Sequence, residues 1–222
     1  MINAAGVLPL PEKVEAINNF TLPSTYSRLR TFNDMVNFYH RFMKNLAQKM
    51  QPLNSMLAGK HSKNAIIKWT EEAKASFENV KEALAEATLL HYPQSNAETS
   101  IAVDASDTAV GGVLQQRHAG EWKPIAFFSK KLQPHKNKFS TFGRELLATY
   151  LALKHFRYFI EGARCHILTD HILTDHKPLV GAITKANERD IARETLQLSL
   201  ISQYTTDIRH LARRENIVAD TL

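Results

Sequence analysis

Four acidic positions carry the chemistry this sequence can offer. Asp104 ends the run Ile101-Ala102-Val103-Asp104, whose alternation is that of a strand and sets Asp104 opposite Ile101 and Val103. Glu145 lies in a helical stripe with Ala148 and Ala152 along its side, small residues that permit close approach to a sheet. A third acid closes a further strand as Asp170 or Asp175, because Ile-Leu-Thr-Asp-His at 167–171 recurs, identical and adjacent, at 172–176. Asp220 begins or lies on a last helix. Carboxylates brought within a few ångströms repel one another unless protons or cations neutralise them. Oxygen-only ligands suit Mg²⁺ or Mn²⁺, and two such ions about 4 Å apart can activate water for phosphodiester hydrolysis. Singly, each acid is ordinary: Asp104 as a turn or cap residue, Glu145 as a solvated helix position, Asp220 as a surface charge. The metal reading stands on the fold bringing them together.

Positioning them requires a mixed architecture. Pro23-Ser24-Thr25 starts a helix, and Leu29, Phe32, Val36, Tyr39 and Met43 recur at helical steps, a stripe that needs a partner surface. A second helix is expected from about Met50 to Leu57, with a polar boundary at Gly59–Asn64. Thr70 reads as an N-cap followed by Glu71 and Glu72, ahead of the helical face Phe77, Val80, Leu84 and Ala87. From Thr99 the period becomes two, and three short strands form an antiparallel meander turning at His118-Ala119-Gly120. A long apolar helix from Phe139 to Ile160 follows, ended by Gly162. Next come a strand at Cys165–Thr169, helical segments near Lys177–Ile183 and Glu188–Gln203, a strand near Thr205–Leu211 and a final helix. The five-residue duplication has a structural consequence: five is odd, so a one-copy slip would turn every side chain to the other face of the strand. Only one copy can hold the original register.

Composition narrows the class. The 222 residues, 44% hydrophobic and 23% charged, describe a globular chain. Twenty-eight Lys plus Arg against 22 Asp plus Glu give a net charge of +6, suited to phosphate backbones. Lys130, Lys131, Lys136 and Lys138 cluster where they could hold a nucleic-acid backbone, although loop lysines are ordinarily just solvated. A single cysteine, Cys165, excludes an internal disulfide. With no long apolar span or signal-like start, the expectation is an intracellular protein, cytoplasmic or nuclear, that is neither secreted nor held in a membrane. His166, His171 and His176 recur at five-residue steps, which the duplication explains without zinc.

The chain resembles the gypsy-type long-terminal-repeat retrotransposon polyproteins, from the end of the reverse transcriptase through its ribonuclease H domain. The resemblance runs in order through LPLPEKVEAI (8–17), MVNFYHRF (35–42), MQPL (50–53), WTEEAKASFENVKEAL (69–84), VDASDTAVGGVLQQ (103–116), WKPIAFFSKKL (122–132), FSTFGRELLATYLALKHFRYFIEG (139–162), TDHKPL (174–179) and RRENIVAD (213–220). It implies an α/β ribonuclease H-like fold, a mixed five-stranded sheet flanked by helices. Residues 1–64 would be a helical remnant of the reverse transcriptase, and 65–222 the ribonuclease H-like domain with its last helix cut short. It also implies a four-carboxylate set holding two Mg²⁺ ions. Asp104 matches the aspartate of the family's DAS strand, Glu145 the glutamate of its ELLA helix and Asp220 the aspartate of its VAD motif. Spacing from Glu145 selects Asp170 as the remaining ligand, whereas the HKPL that follows selects Asp175. His210 lies where relatives carry a histidine associated with product release. The implied activity is endonucleolytic hydrolysis of the RNA strand of an RNA·DNA hybrid, within a longer polyprotein and without a polymerase active site in this chain. The alternative is a catalytically degenerate nucleic-acid-binding or connection module.

Overall fold

The computed structural model describes residues 1–133, 139–169, 188–205 and 207–210. The chain opens with a two-stranded ladder, β1 (Ile2–Asn3) and β2 (Gly6–Val7), which the sequence pattern does not announce. It docks on the segment before the main sheet: the Val7 N–H donates to the Leu90 carbonyl at 2.8 Å, and the Tyr92 hydroxyl donates to the Asn3 carbonyl at 3.0 Å.

Helices α1 (Pro11–Asn18), α2 (Tyr26–Phe38), α3 (Leu46–Lys49), α4 (Gln51–Met56) and α5 (Glu71–Ala85) follow, with a 3₁₀ turn at His40–Phe42. The expected start signals hold. Thr25 caps α2 by accepting from the Arg28 N–H at 3.4 Å, and Thr70 caps α5 by accepting from the Ala73 N–H at 3.2 Å. The stripe expected to run unbroken from Leu29 to Met43 divides instead, because α2 stops at Phe38 and the chain turns. Its partner surface lies within the same chain. Leu29, Phe32, Val36 and Met43 are buried with Phe77, Val80 and Leu84 of α5 in one cluster, which also takes in Ala102, Val113, Phe127 and Leu168. Trp69 fastens this unit, its indole N–H donating to the Pro23 carbonyl at 2.7 Å.

The meander forms as expected from β3 (Thr99–Ala105), β4 (Ala109–His118) and β5 (Glu121–Lys131). Ala119 and Gly120 join β4 to β5, both with positive φ (51° and 89°), the conformation a two-residue hairpin turn requires. Then come α6 (Thr141–Ile160), β6 (Cys165–Thr169), α7 (Glu188–Tyr204) and β7 (Ile208–His210). Helix α6 gives way at Gly162, whose φ of 77° suits glycine. The five-stranded sheet has the order β5-β4-β3-β6-β7, with β6 parallel to β3 and β7 parallel to β6. Ile167, Leu168 and Thr169 of the first duplicate copy lie in β6. The second copy, the helical segment expected near 177–183 and the final helix lie outside the described residues.

Strand alternation gives the sheet two different faces. Ala102, Val113, Phe127 and Leu168 face the N-terminal helices, while Ile101, Val103, Leu114, Phe128 and Ile167 face α6. The small residues of α6 do what their size suggests. Ala148 and Ala152 are fully buried, and a Cβ placed on Gly112 of β4 would stand 3.3 Å from the Ala152 Cβ. Helix α6 therefore lies close against the sheet. Among the described residues no helix is long and apolar enough to cross a membrane.

Candidate active site

Asp104 is the penultimate residue of β3, at the carboxyl end of the parallel strands, where ligands gather in open α/β sheets. Its register partner is Gly111, whose partner in turn is Ser129 of β5. All three lie on the face turned to the N-terminal helices, opposite Ile101 and Val103 as the alternation requires. The turn beyond Asp104 is built by Ser106, whose hydroxyl oxygen accepts from the Ala109 N–H and whose hydroxyl donates to the Ala109 carbonyl, both at 3.0 Å.

Glu145 approaches the same end of the sheet from the other face. The bland expectation of a solvated helix position fails, because Glu145 is only 1% exposed. The hydroxyl of Thr169, the last residue of β6, donates to Glu145 Oε2 at 3.3 Å. A buried carboxylate is costly unless polar partners or cations compensate it, so this acid is held for a reason other than solubility. The neighbouring Arg144 ties the helix to the turn after Asp104, with its guanidinium 3.1 Å from the Asp107 carboxylate and donating to the Phe139 carbonyl at 2.9 Å. Such a half-exposed ion pair adds little stability. Its effect is to fix the Asp104 turn relative to the Glu145 helix.

Sequence reasoning missed one part of this site. A small crevice of about 10 Å³ beside Asp104 is lined by Ser106, Gly111 and Ser129 and also by Asn45 and Gln48. The last two come from the start and body of α3, which is pinned to β5 where the Ala47 N–H donates to Ser129 Oγ at 3.0 Å. Next to them Lys44 sits 5.9 Å from the centre of the Phe127 ring, and burial lowers its pKa. No periodicity could have revealed these residues, because the contact joins segments far apart in sequence.

The remaining sequence-derived candidates divide. Lys130 and Lys131 are exposed at the end of β5, one and two residues beyond Ser129. His210 closes β7 opposite Thr169 in the parallel register. Asp170, Asp175, Asp220, Lys136 and Lys138 lie outside the described residues. Asp104 and Glu145 are hard oxygen donors of the type a divalent cation requires. Among the described residues no three Asp, Glu, His or Cys groups form a metal-holding cluster. His166 belongs to a different setting, with its ring 5.6 Å from that of Trp122 and its Nδ1 3.9 Å from the Glu98 carboxylate. Burial pushes the Cys165 thiol up to about 12, which leaves it unreactive.

Fold and site together describe a ribonuclease H-like domain with a preceding helical unit. Residues 69–167 match the RNase H-like domain found in reverse transcriptase. Along its whole length the chain is similar to retrotransposon polyproteins. It is 33% identical over 218 residues to the retrovirus-related Pol polyprotein from transposon 412 of Drosophila melanogaster, covering 98% of this chain and 17% of that one. It is 29% identical over 222 residues to the Tf2-3 polyprotein of Schizosaccharomyces pombe, covering 100% of this chain and 16% of that one. The chain is thus similar along its length to retrotransposon polyproteins, with the match to the RNase H-like domain found in reverse transcriptase confined to residues 69–167, and it spans about a sixth of the length of those relatives. Solved structures agree on the fold. A foamy viral protease-reverse transcriptase in complex with RNA/DNA hybrid superposes with a TM-score of 0.76 at 24% identity, over 95% of this chain and 28% of that one. Another, in complex with double-stranded DNA, gives 0.77 at 22% identity, over 95% of this chain and 36% of that one.

Proposed function

We propose that this chain is the ribonuclease H segment of a retrotransposon polyprotein and hydrolyses the RNA strand of RNA·DNA hybrids. The observation that carries the reading is the buried Glu145 carboxylate, held by Thr169 at the end of β6, the strand adjacent to the one that carries Asp104. A purely structural role would not need an ionisable group there, since a threonine hydroxyl is satisfied by any neutral acceptor.

Asp104 and Glu145 would hold a divalent cation together with Asp220 and a third aspartate. That third position is proposed to be Asp170, which follows in the sequence directly on Thr169, the last residue of β6. Magnesium, or manganese in its place, would supply the positive charge that offsets the repulsion among these carboxylates and the Lewis acidity that phosphodiester hydrolysis needs. The protein's own contribution is positional. Thr169 orients Glu145, Arg144 fixes the turn after Asp104, and Lys130 and Lys131 hold the sugar–phosphate backbone beside the site. Transposon relatives carry the same segment within much longer chains, so the natural setting is a polyprotein that supplies the hybrid.

Side-by-side assay of Asp170→Asn and Asp175→Asn on a labelled RNA·DNA hybrid with Mg²⁺ tests the assignment. Cleavage lost in Asp170→Asn and retained in Asp175→Asn is the expected result. The reverse pattern would move the ligand to the second duplicate copy.

A further inference from the structure

Two adjacent residues of α7 grip the start of α6, the helix that carries Glu145, and we propose that Arg193 and Glu194 are positioning residues for hybrid cleavage. The inference rests on the nuclease reading of Glu145. Both residues act through the first turn of α6 and not on the substrate.

Glu194 is a second carboxylate in the interior, 7% exposed. Its Oε1 occupies the notch that Gly143 leaves: a Cβ at position 143 would stand 3.0 Å from it, closer than atoms ordinarily pack. Gly143 lies in the first turn of α6, whose cap is Ser140. A carboxylate beside that turn is favoured by the positive end of a 20-residue helix. Arg193 holds the residue before the cap. Its guanidinium carbon lies 3.7 Å from the centre of the Phe139 ring, and it donates to Glu194 Oε1 at 3.3 Å.

The grip reaches both acids of the site. Glu145 stands two residues beyond Gly143. Arg144, between them, donates to the Phe139 carbonyl at 2.9 Å and lies 3.1 Å from the carboxylate of Asp107, in the turn after Asp104. A shift of this first turn therefore carries Glu145 and the Asp104 turn with it. Packing alone does not account for the residue chosen. The buried positions of α7 change from Glu194 and Gln197 to the apolar Ile201 further along, so the interior side of the helix is polar at the end next to Gly143. A buried polar group costs more than an apolar one of similar size, and what it supplies here is one fixed register between the two helices.

The test uses the whole 222-residue chain with Glu194→Ala, Glu194→Gln, Gly143→Ala and the double variant Gly143→Ala/Glu194→Ala. Cleavage is measured with Mg²⁺ and saturating hybrid, at a temperature where circular dichroism shows each variant folded. Glu194→Ala should lower kcat about tenfold, as a small misplacement of a catalytic group does, and leave metal-free hybrid affinity unchanged. Glu194→Gln keeps shape and acceptor and should recover most of the loss. Gly143→Ala should lower kcat although alanine favours a helix, and should matter less in the Glu194→Ala background, where the two side chains no longer collide. Hydrogen exchange gives a reading that needs no activity: in Glu194→Ala the amides of residues 143–148 should exchange faster while those of β3 to β5 keep wild-type rates. Wild-type kcat in folded Glu194→Ala or in folded Gly143→Ala would overturn the proposal, whatever their stability. A wild type that cuts no hybrid would overturn the nuclease reading, and unchanged exchange at residues 143–148 would then overturn the positioning role by itself.

Discussion

The hydroxyl of Thr169 donates to Glu145 Oε2 at 3.3 Å, joining the last residue of β6 to a carboxylate that is 1% exposed on α6. This hydrogen bond couples strand to helix at the carboxyl end of the sheet, and it explains how a buried acid is retained. Thr169→Val keeps the shape and removes the donor. It should cost about 1–3 kcal/mol in urea unfolding, because it takes one hydrogen-bond donor away from a buried carboxylate. Cleavage should fall with it, and equal cleavage by Thr169→Val would show that the hydrogen bond is not part of the site.

The β4–β5 turn holds an avoidable strain. Ala119 has φ 51°, which costs a residue with a Cβ roughly 1 kcal/mol. Asparagine favours this turn position. Ala119→Asn should therefore raise stability by about 0.5–1 kcal/mol without changing hybrid cleavage, measured as a shift in the denaturation midpoint at constant slope.

Acid should weaken the fold through the histidines whose charging the fold opposes. His166 has its pKa lowered below 6.5 by burial and then by Arg209, against the opposing pull of Glu98 and Asp207, and burial likewise lowers His91 and His155. Because the folded state binds these protons less readily than the unfolded one, their stability contribution is complete above the unfolded value of about 6.5. It declines as the pH falls from there toward the folded values. Denaturation midpoints at about pH 7.5 and 5.5, on either side of that unfolded value, should differ accordingly, and His166→Gln should reduce the difference. An unchanged difference would place the effect elsewhere.

Nucleic-acid affinity should depend steeply on salt. Lys130 and Lys131 are exposed at the end of β5 beside the Asp104 crevice. Replacing both with alanine should flatten the plot of log affinity against log salt by roughly one for each phosphate no longer neutralised. An identical slope would remove them from the interface.

Much of this follows from the sequence. The two-residue period marks the meander and the bounds of β6, and Thr25 and Thr70 mark their helices because capping is local chemistry. Ala148 and Ala152 announce the close approach of α6. Other features have no local signal. Strands β1 and β2 are two residues each, too short to show any period. The break after Phe38 interrupts a stripe whose apolar spacing continues through it. Burial of Glu145 depends on the sheet it meets, and the crevice shared by Asn45, Gln48 and Asp104 depends on how α3 docks against β5. Such placements come from tertiary packing, which spacing along one chain does not encode.

The nuclease reading is tested most directly by cleavage of a labelled RNA·DNA hybrid by the whole chain with Mg²⁺, beside Asp104→Asn and with hybrid affinity measured in parallel. Wild type should release RNA fragments ending in a 3′-hydroxyl, in a metal-dependent reaction that Asp104→Asn loses while its hybrid binding survives. Undiminished cleavage by Asp104→Asn, or tight hybrid binding by a folded wild type that never cuts, would contradict it.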